Sequence, residues 1–369
     1  MRIIGDLGSH CLTSEGLVEG PCKYSHPTIG EGGYGSFNFL YGPSAGGLLE
    51  SVAFDILTYG ESIEDVRALS YKTRHIKVRG LPLRDVLFKV ERINVPFAAS
   101  HTIAFLTAVE NALGVSPPEE VVESRIAQLE LERIRNNLLV IQRLAEAASF
   151  LVPTYRLLYY VEEVNRAISR SCGHRYFLGA NYLGESRCQG LHLPRIDVEE
   201  LRDLLSNRIF IDRLQGNGVV KEDWAIGPAA RAAGFSYDAR LEVPELKYRD
   251  HGFKIVTESK GDAFSRMLVR LEEIEVSLKI LEGVEVKPRR FELPLREGRG
   301  IGRVESPSGD LAYMVQVEQG SIKELHLLPP SRINILLFLR SMPENIFTDF
   351  PFNWESFGIW ISEAEVSIS

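Results

Sequence analysis

The chain has 369 residues, 44% of them hydrophobic and 25% charged, with a net charge of -8 and a pI near 5.6. That composition is ordinary for a globular protein, and the length suits one large domain or two intimately packed ones. An acidic chain without a Lys/Arg cluster argues against binding nucleic acid by phosphate neutralisation. No metal site is expected from Cys11, Cys22, Cys172 and Cys188, whose gaps suit neither a zinc module nor an iron–sulfur loop. They read as four reduced, structural thiols. The N-terminus lacks a signal-peptide pattern, and the run Ile333–Leu339 is far shorter than the ~20 apolar residues that span a bilayer.

Taken in order, residues 1–40 form a Gly/Ser/Pro-rich stretch. Ser9-His10-Cys11 and Cys22…His26 imitate metal ligands, but without paired short spacing they favour a wrapping loop. Phe39 to Gly47 is a turn whose glycines either permit a close backbone approach or satisfy positive φ. SVAFDILTYGE alternates as a strand, and residues 62–78 continue with a second strand-like passage. A helix is expected from Ser100, whose hydroxyl can cap it, to Gly114, and it is apolar enough to be buried. Ser116-Pro117 restarts the chain, with Glu119 and Glu120 suited to a helix N-terminus. This second helix is expected to run unbroken to near Pro153, a rod of roughly 50 Å.

A further amphipathic helix ends at Gly173, and Asp197 opens another that runs to about Leu214. GPAARAAG, Gly227 to Gly234, is a small-residue turn around Arg231. Asp262 starts a helix carrying Arg266 and Arg270 one turn apart, and a hairpin folds about Gln319-Gly320. Ser331 is expected to cap a last helix stopped by Pro343, followed by a packed aromatic tail. The fold class is therefore α+β and α-rich: a central long-helix bundle with small peripheral β-sheets. It forms a single domain over 1–369, β-rich over 1–90, helical over 91–283, and ending in hairpin, helix and tail over 284–369.

Several common sites are missing: there is no GxxxxGK[ST], GxSxG or HExxH motif. Gly30 to Gly35 and Gly298 to Gly302 resemble phosphate loops only in composition. The segments SHTIAFLTAVENALG, ELERIRNNLL and GPAAR with Tyr237-Asp238-Ala239-Arg240, then GDAFSRMLVRLEEIEVSLKIL and ESPSGDLAY, follow one another in a recognisable order. In that order the chain resembles the large subunit of membrane-bound [NiFe] hydrogenases and its relative, the quinone-site (D-type) subunit of complex I, over roughly residues 39–365.

The resemblance implies a fold like the hydrogenase large subunit and a peripheral place on the cytoplasmic face of a membrane, inside an oxidoreductase complex. It implies three partners: a B-like small iron–sulfur subunit with a [4Fe–4S] cluster, an H-like integral membrane subunit, and a C-like protein. It also implies that the chain, inactive alone, walls an electron-acceptor pocket for a quinone, with no cofactor bound by this chain itself. In hydrogenases R-I-C-G-x-C precedes a Ser-His pair. Here Asn94 and Phe97 replace those thiolates, between Arg92 and Ser100-His101. Trp360 and Glu363 replace those of the C-terminal D-P-C-x-x-C, and such donors cannot supply the soft thiolates nickel requires. The His, Tyr and Asp that the complex I relative offers fall on Leu49, Val95 and Ala147, which carry no proton donor.

What remains is Arg74, beside Thr73 and His75, together with His101. His101 is the candidate catalytic residue, either donating to a ligand or satisfied by backbone. Arg92, Asn94, Arg74, Arg231 and Glu363 are the candidate pocket residues. The arginines either face the pocket or pair with buried carboxylates such as Glu110, Glu130 or Asp238. Two functions follow: an acceptor-pocket subunit, or an inactive structural or coupling subunit of the same kind of complex.

Overall fold

The computed structural model describes residues 2–7, 10–22, 32–44, 51–69 and 73–369. Ser9, His26, Gly30, Glu31, Ala45 to Gly47 and Leu49, all invoked above, lie outside the described residues.

The first part of the chain is sheet. Strands β1 (Ile3–Asp6), β2 (His10–Thr13) and β3 (Gly16–Glu19) form one antiparallel sheet, and β4 (Phe37–Tyr41), β5 (Ala53–Tyr59) and β6 (Ser62–Leu69) form another. The alternation expected from residue 51 onward is β5. The short β7 (Arg74–Ile76) leaves these sheets and leads to α1 (Leu83–Val90).

Helix α2 (Ala98–Leu113) ends on Gly114 in the left-handed conformation, as its sequence implies. Its start differs from expectation. Ser100 lies inside the helix, and the free N–H groups of Ala99 and Ser100 are taken by Glu132 of α3, at 2.9 and 3.0 Å. A buried carboxylate from another helix satisfies exposed N–H groups as a local hydroxyl would and adds charge complementarity. Helix α3 (Glu119–Ala147) is also shorter than the expected rod, because Ser149 adopts φ 55° and α4 (Leu151–Cys172) begins anew. Pro153 explains the break: inside a continuous helix its ring would clash with the carbonyl four residues earlier, whereas in a first turn its missing N–H is no loss.

Strands β8 (Asn181–Tyr182) and β9 (Glu185–Ser186) precede α5 (Val198–Leu205) and α6 (Arg208–Leu214), which replace the single helix expected after Asp197. GPAARAAG folds as α7 (Gly227–Ala232) rather than as a turn. It is followed by α8 (Ala239–Glu242) and by α9 (Ala263–Glu282), capped by Asp262 accepting from the Ser265 N–H. Strand β10 (Arg289–Arg290) joins β9. Strands β11 (Gly298–Ser306), β12 (Gly309–Glu318) and β13 (Ser321–Leu328) make a three-stranded antiparallel sheet turning at Gln319-Gly320. The chain closes with α10 (Pro330–Ser341), α11 (Phe350–Phe357), α12 (Ile361–Ala364) and β14 (Val366–Ile368), which pairs in parallel with β7.

Helix α2 lies directly on β11, and the glycine run at 298–302 is the reason. A Cβ on Gly298, Gly300 or Gly302 would sit 2.1–2.2 Å from the carbonyl oxygens of Ala112, Ala108 and Ala104. Glycines two apart share one face of a strand, and alanines four apart share one face of a helix. The motif is a packing device and not a phosphate loop. The main core joins α2, α3, α4 and α9 to the sheet of β11 to β13. A second core holds the aromatic tail, where Phe54, Phe338, Phe350 and Trp354 meet at 5.0–5.7 Å between ring centres, mostly edge to face. The result is a mixed helix-and-sheet fold with small sheets. The cysteines are paired as Cys11–Cys22 and Cys172–Cys188, correcting the expectation of four thiols: the strand pair at the N-terminus and the return after α4 bring each pair within 4.8 and 4.1 Å at Cα. Among the described residues no helix is long and apolar enough to cross a membrane.

Candidate functional site

The structure brings together three of the sequence candidates that are farthest apart in the chain. Asn94 precedes the short turn into α2, His101 lies in the first turn of α2, and Glu363 lies in α12. All three are buried. Asn94 Nδ2 donates to Glu363 Oε2 at 3.3 Å, and His101 Nε2 lies 3.2 Å from the same oxygen. Ser331 donates to Glu363 Oε1 through its hydroxyl, at 2.5 Å, and through its backbone N–H, at 3.3 Å. The Ser331 hydroxyl also accepts from the Trp360 backbone N–H at 3.0 Å. Ser331 therefore does not cap α10 as expected; it ties α10 to α12 through the carboxylate.

Four neutral donors converge on Glu363, and its two oxygens can accept all of them when ionised. His101 Nε2 then carries the proton shared with Glu363, which leaves Nδ1 as the acceptor. Tyr313, on β12, lies 2.8 Å from Nδ1 and fills that role with its hydroxyl. Burial, reinforced by the charge of Glu363, holds the Tyr313 phenol well above its usual range, so it stays a donor. A continuous hydrogen-bonded run thus links β12 to α10 through Tyr313, His101, Glu363 and Ser331. Sequence reasoning misses Tyr313 as a site residue, although the ESPSGDLAY segment that contains it is part of the resemblance, and it takes Ser331 only for a cap.

Around this centre Phe97 and Trp360, the other replacements for thiolates, pack edge to face at 5.7 Å, and Arg143 lies over the Trp360 ring at 4.6 Å. The local donors are an amide, a carboxylate and an indole, a set without soft thiolates that does not fit nickel. Among the described residues no cluster of three or more His, Cys, Asp or Glu side chains is arranged to hold a metal ion. Around Glu363, the buried acceptor Asn94 Oδ1, the donor Trp360 Nε1 and the Ser362 hydroxyl have no hydrogen-bond partner among the described residues. Unsatisfied groups of this kind are uncommon in a protein interior and costly to leave unpaired.

The three arginines fall in different places. Arg74 straps the centre from outside, donating to the carbonyls of Ile93 at 2.5 Å, Arg92 at 3.3 Å and Ser362 at 3.4 Å. Arg92 is exposed and pairs with Glu91. Arg231 does not join the centre at all. It is fully buried and ion-pairs with Asp238 at 3.0 Å, Glu273 at 2.8 Å and Glu305 at 2.8 Å, so the carboxylate alternative read from the sequence describes its contacts. Arg240 adds bonds to Asp238 and Glu273 and reaches Glu130, which also holds Arg133. Glu110, the other carboxylate named from the sequence, is held by both terminal nitrogens of Arg125.

Burial opposes ionisation of Asp238, but the Arg240 and Arg231 guanidiniums more than offset it and hold its carboxyl below the usual range. Glu305 goes the other way. Burial and the charge of Asp238 push it up to about 7, because Arg231 is shared among three carboxylates.

With α2 laid on a glycine-lined sheet, a hydrogen-bonded centre forms where the turn before α2 meets the C-terminal helix. Residues 194–289 match the family described as the respiratory-chain NADH dehydrogenase 49 Kd subunit. A D-type subunit of the NADH-quinone oxidoreductase of Solibacter usitatus is 28% identical over 292 residues, covering 70% of this chain and 77% of that one. The membrane-bound hydrogenase subunit alpha of Pyrococcus furiosus is 26% identical over 352 residues, 84% of this chain and 82% of that one. The D-type subunit of the F(420)H(2) dehydrogenase of Methanosarcina mazei is 28% identical over 263 residues, 63% and 70% of the two chains. Among solved structures, a chain of the membrane-bound sulfane sulfur reductase, an archaeal respiratory membrane complex, superposes with a TM-score of 0.77 at 21% identity, covering 89% of this chain and 98% of that one. The chain is thus similar in sequence both to D-type subunits of NADH-quinone oxidoreductase and to a membrane-bound hydrogenase subunit, and similar in fold to a chain of a respiratory membrane complex.

Proposed function

We propose that the chain is a peripheral subunit, on the cytoplasmic face, of a membrane-associated oxidoreductase complex of the complex I and energy-converting hydrogenase type. In this reading it assembles with a small subunit carrying a [4Fe–4S] cluster, an integral membrane subunit and a C-like protein. It contributes the acceptor-side centre Asn94–His101–Tyr313–Glu363. The observation that carries the reading is the continuous hydrogen-bonded run from Tyr313 through His101 to Glu363 at 2.8 and 3.2 Å. A quinone-type acceptor takes up protons as it is reduced. The residues fit such a group in two respects: Trp360 Nε1 offers an unpaired donor for a carbonyl oxygen, and Asn94 Oδ1 an unpaired acceptor for a hydroxyl. His101 is the proton-bearing group beside them, its Nε2 facing Glu363 and its Nδ1 held by the Tyr313 hydroxyl, so that a proton passed to a reduced acceptor would come from the His101–Glu363 pair.

A second reading, a structural or coupling subunit without chemistry, is favoured by one specific observation. Glu363 and His101 are completely buried, and the carboxylate is saturated by the donors around it. Isolation of the native complex with identification of its subunits, followed by turnover measurements on a His101→Gln variant, separates the two. Normal assembly with turnover reduced at least about tenfold, below the usual range of general acid–base contributions, supports the acceptor centre. Normal assembly with unchanged turnover leaves the structural role. A native chain found neither with membranes nor with an iron–sulfur partner rejects both.

A further inference from the structure

Outside the centre, the strap formed by Arg74 belongs to a second feature. A shallow cavity of about 430 Å3 is lined by Arg74, His75, Lys77, Lys89 and Arg92, with Phe88 as an apolar wall and no carboxylate in its lining. The chain as a whole is acidic, with a net charge of -8, so this concentration of cations is local and runs against the average. We propose that this cavity is a binding site for a phosphate-type oxyanion, either free or carried as a phospholipid headgroup.

What distinguishes the cavity is how its cations are held. Lys89 and Arg92 sit at the C-terminal end of α1, where cations complement the helix dipole, so their presence alone needs no ligand. Arg74, His75 and Lys77 come from β7 and the residue after it, and no dipole accounts for them. The parallel pairing of β7 with β14, Arg74 to Val366 and His75 to Ser367, fixes their backbone. Arg74 is held by the carbonyls of Ile93, Arg92 and Ser362, and Arg92 by the Phe88 carbonyl and Glu91. Two guanidiniums are therefore anchored at the cavity, and the one on Arg74 is held by neutral carbonyls that leave its charge uncompensated. The side chains of His75, Lys77 and Lys89 make no ion pair among the described residues and are exposed.

Among the described residues no acid forms an ion pair with Arg74, His75, Lys77 or Lys89. Glu91 is engaged by Arg92 and by the Gly179 N–H, and Glu365 lies by Thr73 at 3.4 Å. Asp85 precedes Lys89 by one helical turn, with no ion pair between them. Preorganised guanidiniums flanked by flexible ammonium groups suit a multiply charged, tetrahedral acceptor of several hydrogen bonds. The volume leaves room for more than a bare phosphate, which suits a headgroup.

The test uses the full chain in two arms. Calorimetric titration with inorganic phosphate reads the free anion. Co-sedimentation with vesicles of phosphatidylglycerol in phosphatidylcholine, against phosphatidylcholine alone, reads the headgroup. Saturable binding in either arm is expected, weakening as salt is added. It should drop at least about tenfold in the Lys77→Glu, Lys89→Glu double variant, the scale of two lost charge-assisted contacts. Both lysines are exposed, so the ligand-free melting temperature should hold. If charge reversal perturbs folding, Lys77→Gln with Lys89→Gln should still bind several-fold more weakly. Binding to vesicles but not to phosphate assigns the lipid headgroup, and the converse assigns the free anion. The proposal is overturned by an absence of saturable binding in both arms, by double variants that bind like the wild type, or by an acidic peptide that competes as well as phosphate.

Discussion

Two buried carboxylate clusters lie within this fold, and they are built on opposite principles. Around Arg231 and Arg240, the carboxylates Asp238, Glu273 and Glu305 meet guanidiniums, and charge is matched with charge. Around Glu363 the partners are an amide, an imidazole, a hydroxyl and a backbone N–H, with no ion pair to a Lys or Arg among the described residues. In the first arrangement Asp238 is held ionised by its guanidiniums, while Glu305, at the edge of the shared cation, is pushed up to about 7. The second leaves an imidazole between a phenol and a carboxylate, hydrogen-bonded to both. Burial alone therefore does not set how an acid is held; the nature of its partners does.

The largest effect is expected from breaking the first cluster. Arg231→Met leaves three carboxylates without their shared cation and should destabilise the chain by about 3–5 kcal/mol, the usual cost of removing one partner of a buried pair. Denaturant titration reads it. A loss below about 1 kcal/mol would show that the cluster is not the rigid ionic core described here.

Glu305 should give the next effect, with a defined sign. Its carboxyl is pushed up to about 7, above the value of an unfolded chain. The folded state then holds a proton that the unfolded state has lost. That contribution is fully present below the unfolded pKa of about 4.3 and is lost as pH rises through about 7, at up to about 1.4 kcal/mol per pH unit. Glu305→Gln should remove this slope between pH 5 and 7 while leaving acid unfolding below pH 4, where Asp238 acts with the opposite sign. An unchanged slope in the variant would assign it elsewhere.

Tyr313→Phe tests the second cluster by removing the hydroxyl from His101 Nδ1. A loss of about 1–3 kcal/mol is expected from an unsatisfied buried acceptor. Nitrogen NMR of His101 should show the neutral Nε2–H form in the wild type and a changed tautomer balance in the variant; identical spectra would contradict the proton arrangement. Arg92→Ala takes the exposed partner from the buried Glu91 carboxylate, which keeps the Gly179 N–H, and should cost about 1 kcal/mol. A larger loss would mean that Arg92 holds the turn before α2.

Much of the scaffold is legible in the sequence because its signals are local. Gly114 ends α2, Asp262 caps α9, and Gln319-Gly320 turns the hairpin, each for a reason contained within a few residues. The departures share one cause. Ser100 and Ser331 look like caps by position, but carboxylates from Glu132 and Glu363 claim their hydroxyls across 32 residues of sequence. The break at Ser149 carries no glycine, and Pro153 marks it only when read as the start of a helix and not as an end. At the centre, Asn94 and Glu363 are 269 residues apart, so only the resemblance could bring them together in advance. Composition does not separate Arg231 from that centre, because its three partners come from three later segments.

In the function proposed above, the proton that moves with redox state is carried by Glu363 and His101. Infrared difference spectroscopy of the assembled complex, reduced minus oxidised, tests this most directly. Carboxyl and imidazole bands should change with redox state and vanish in Glu363→Gln, with the complex still assembled. A difference spectrum identical in the wild type and the variant would contradict the proposal and leave the chain a structural subunit.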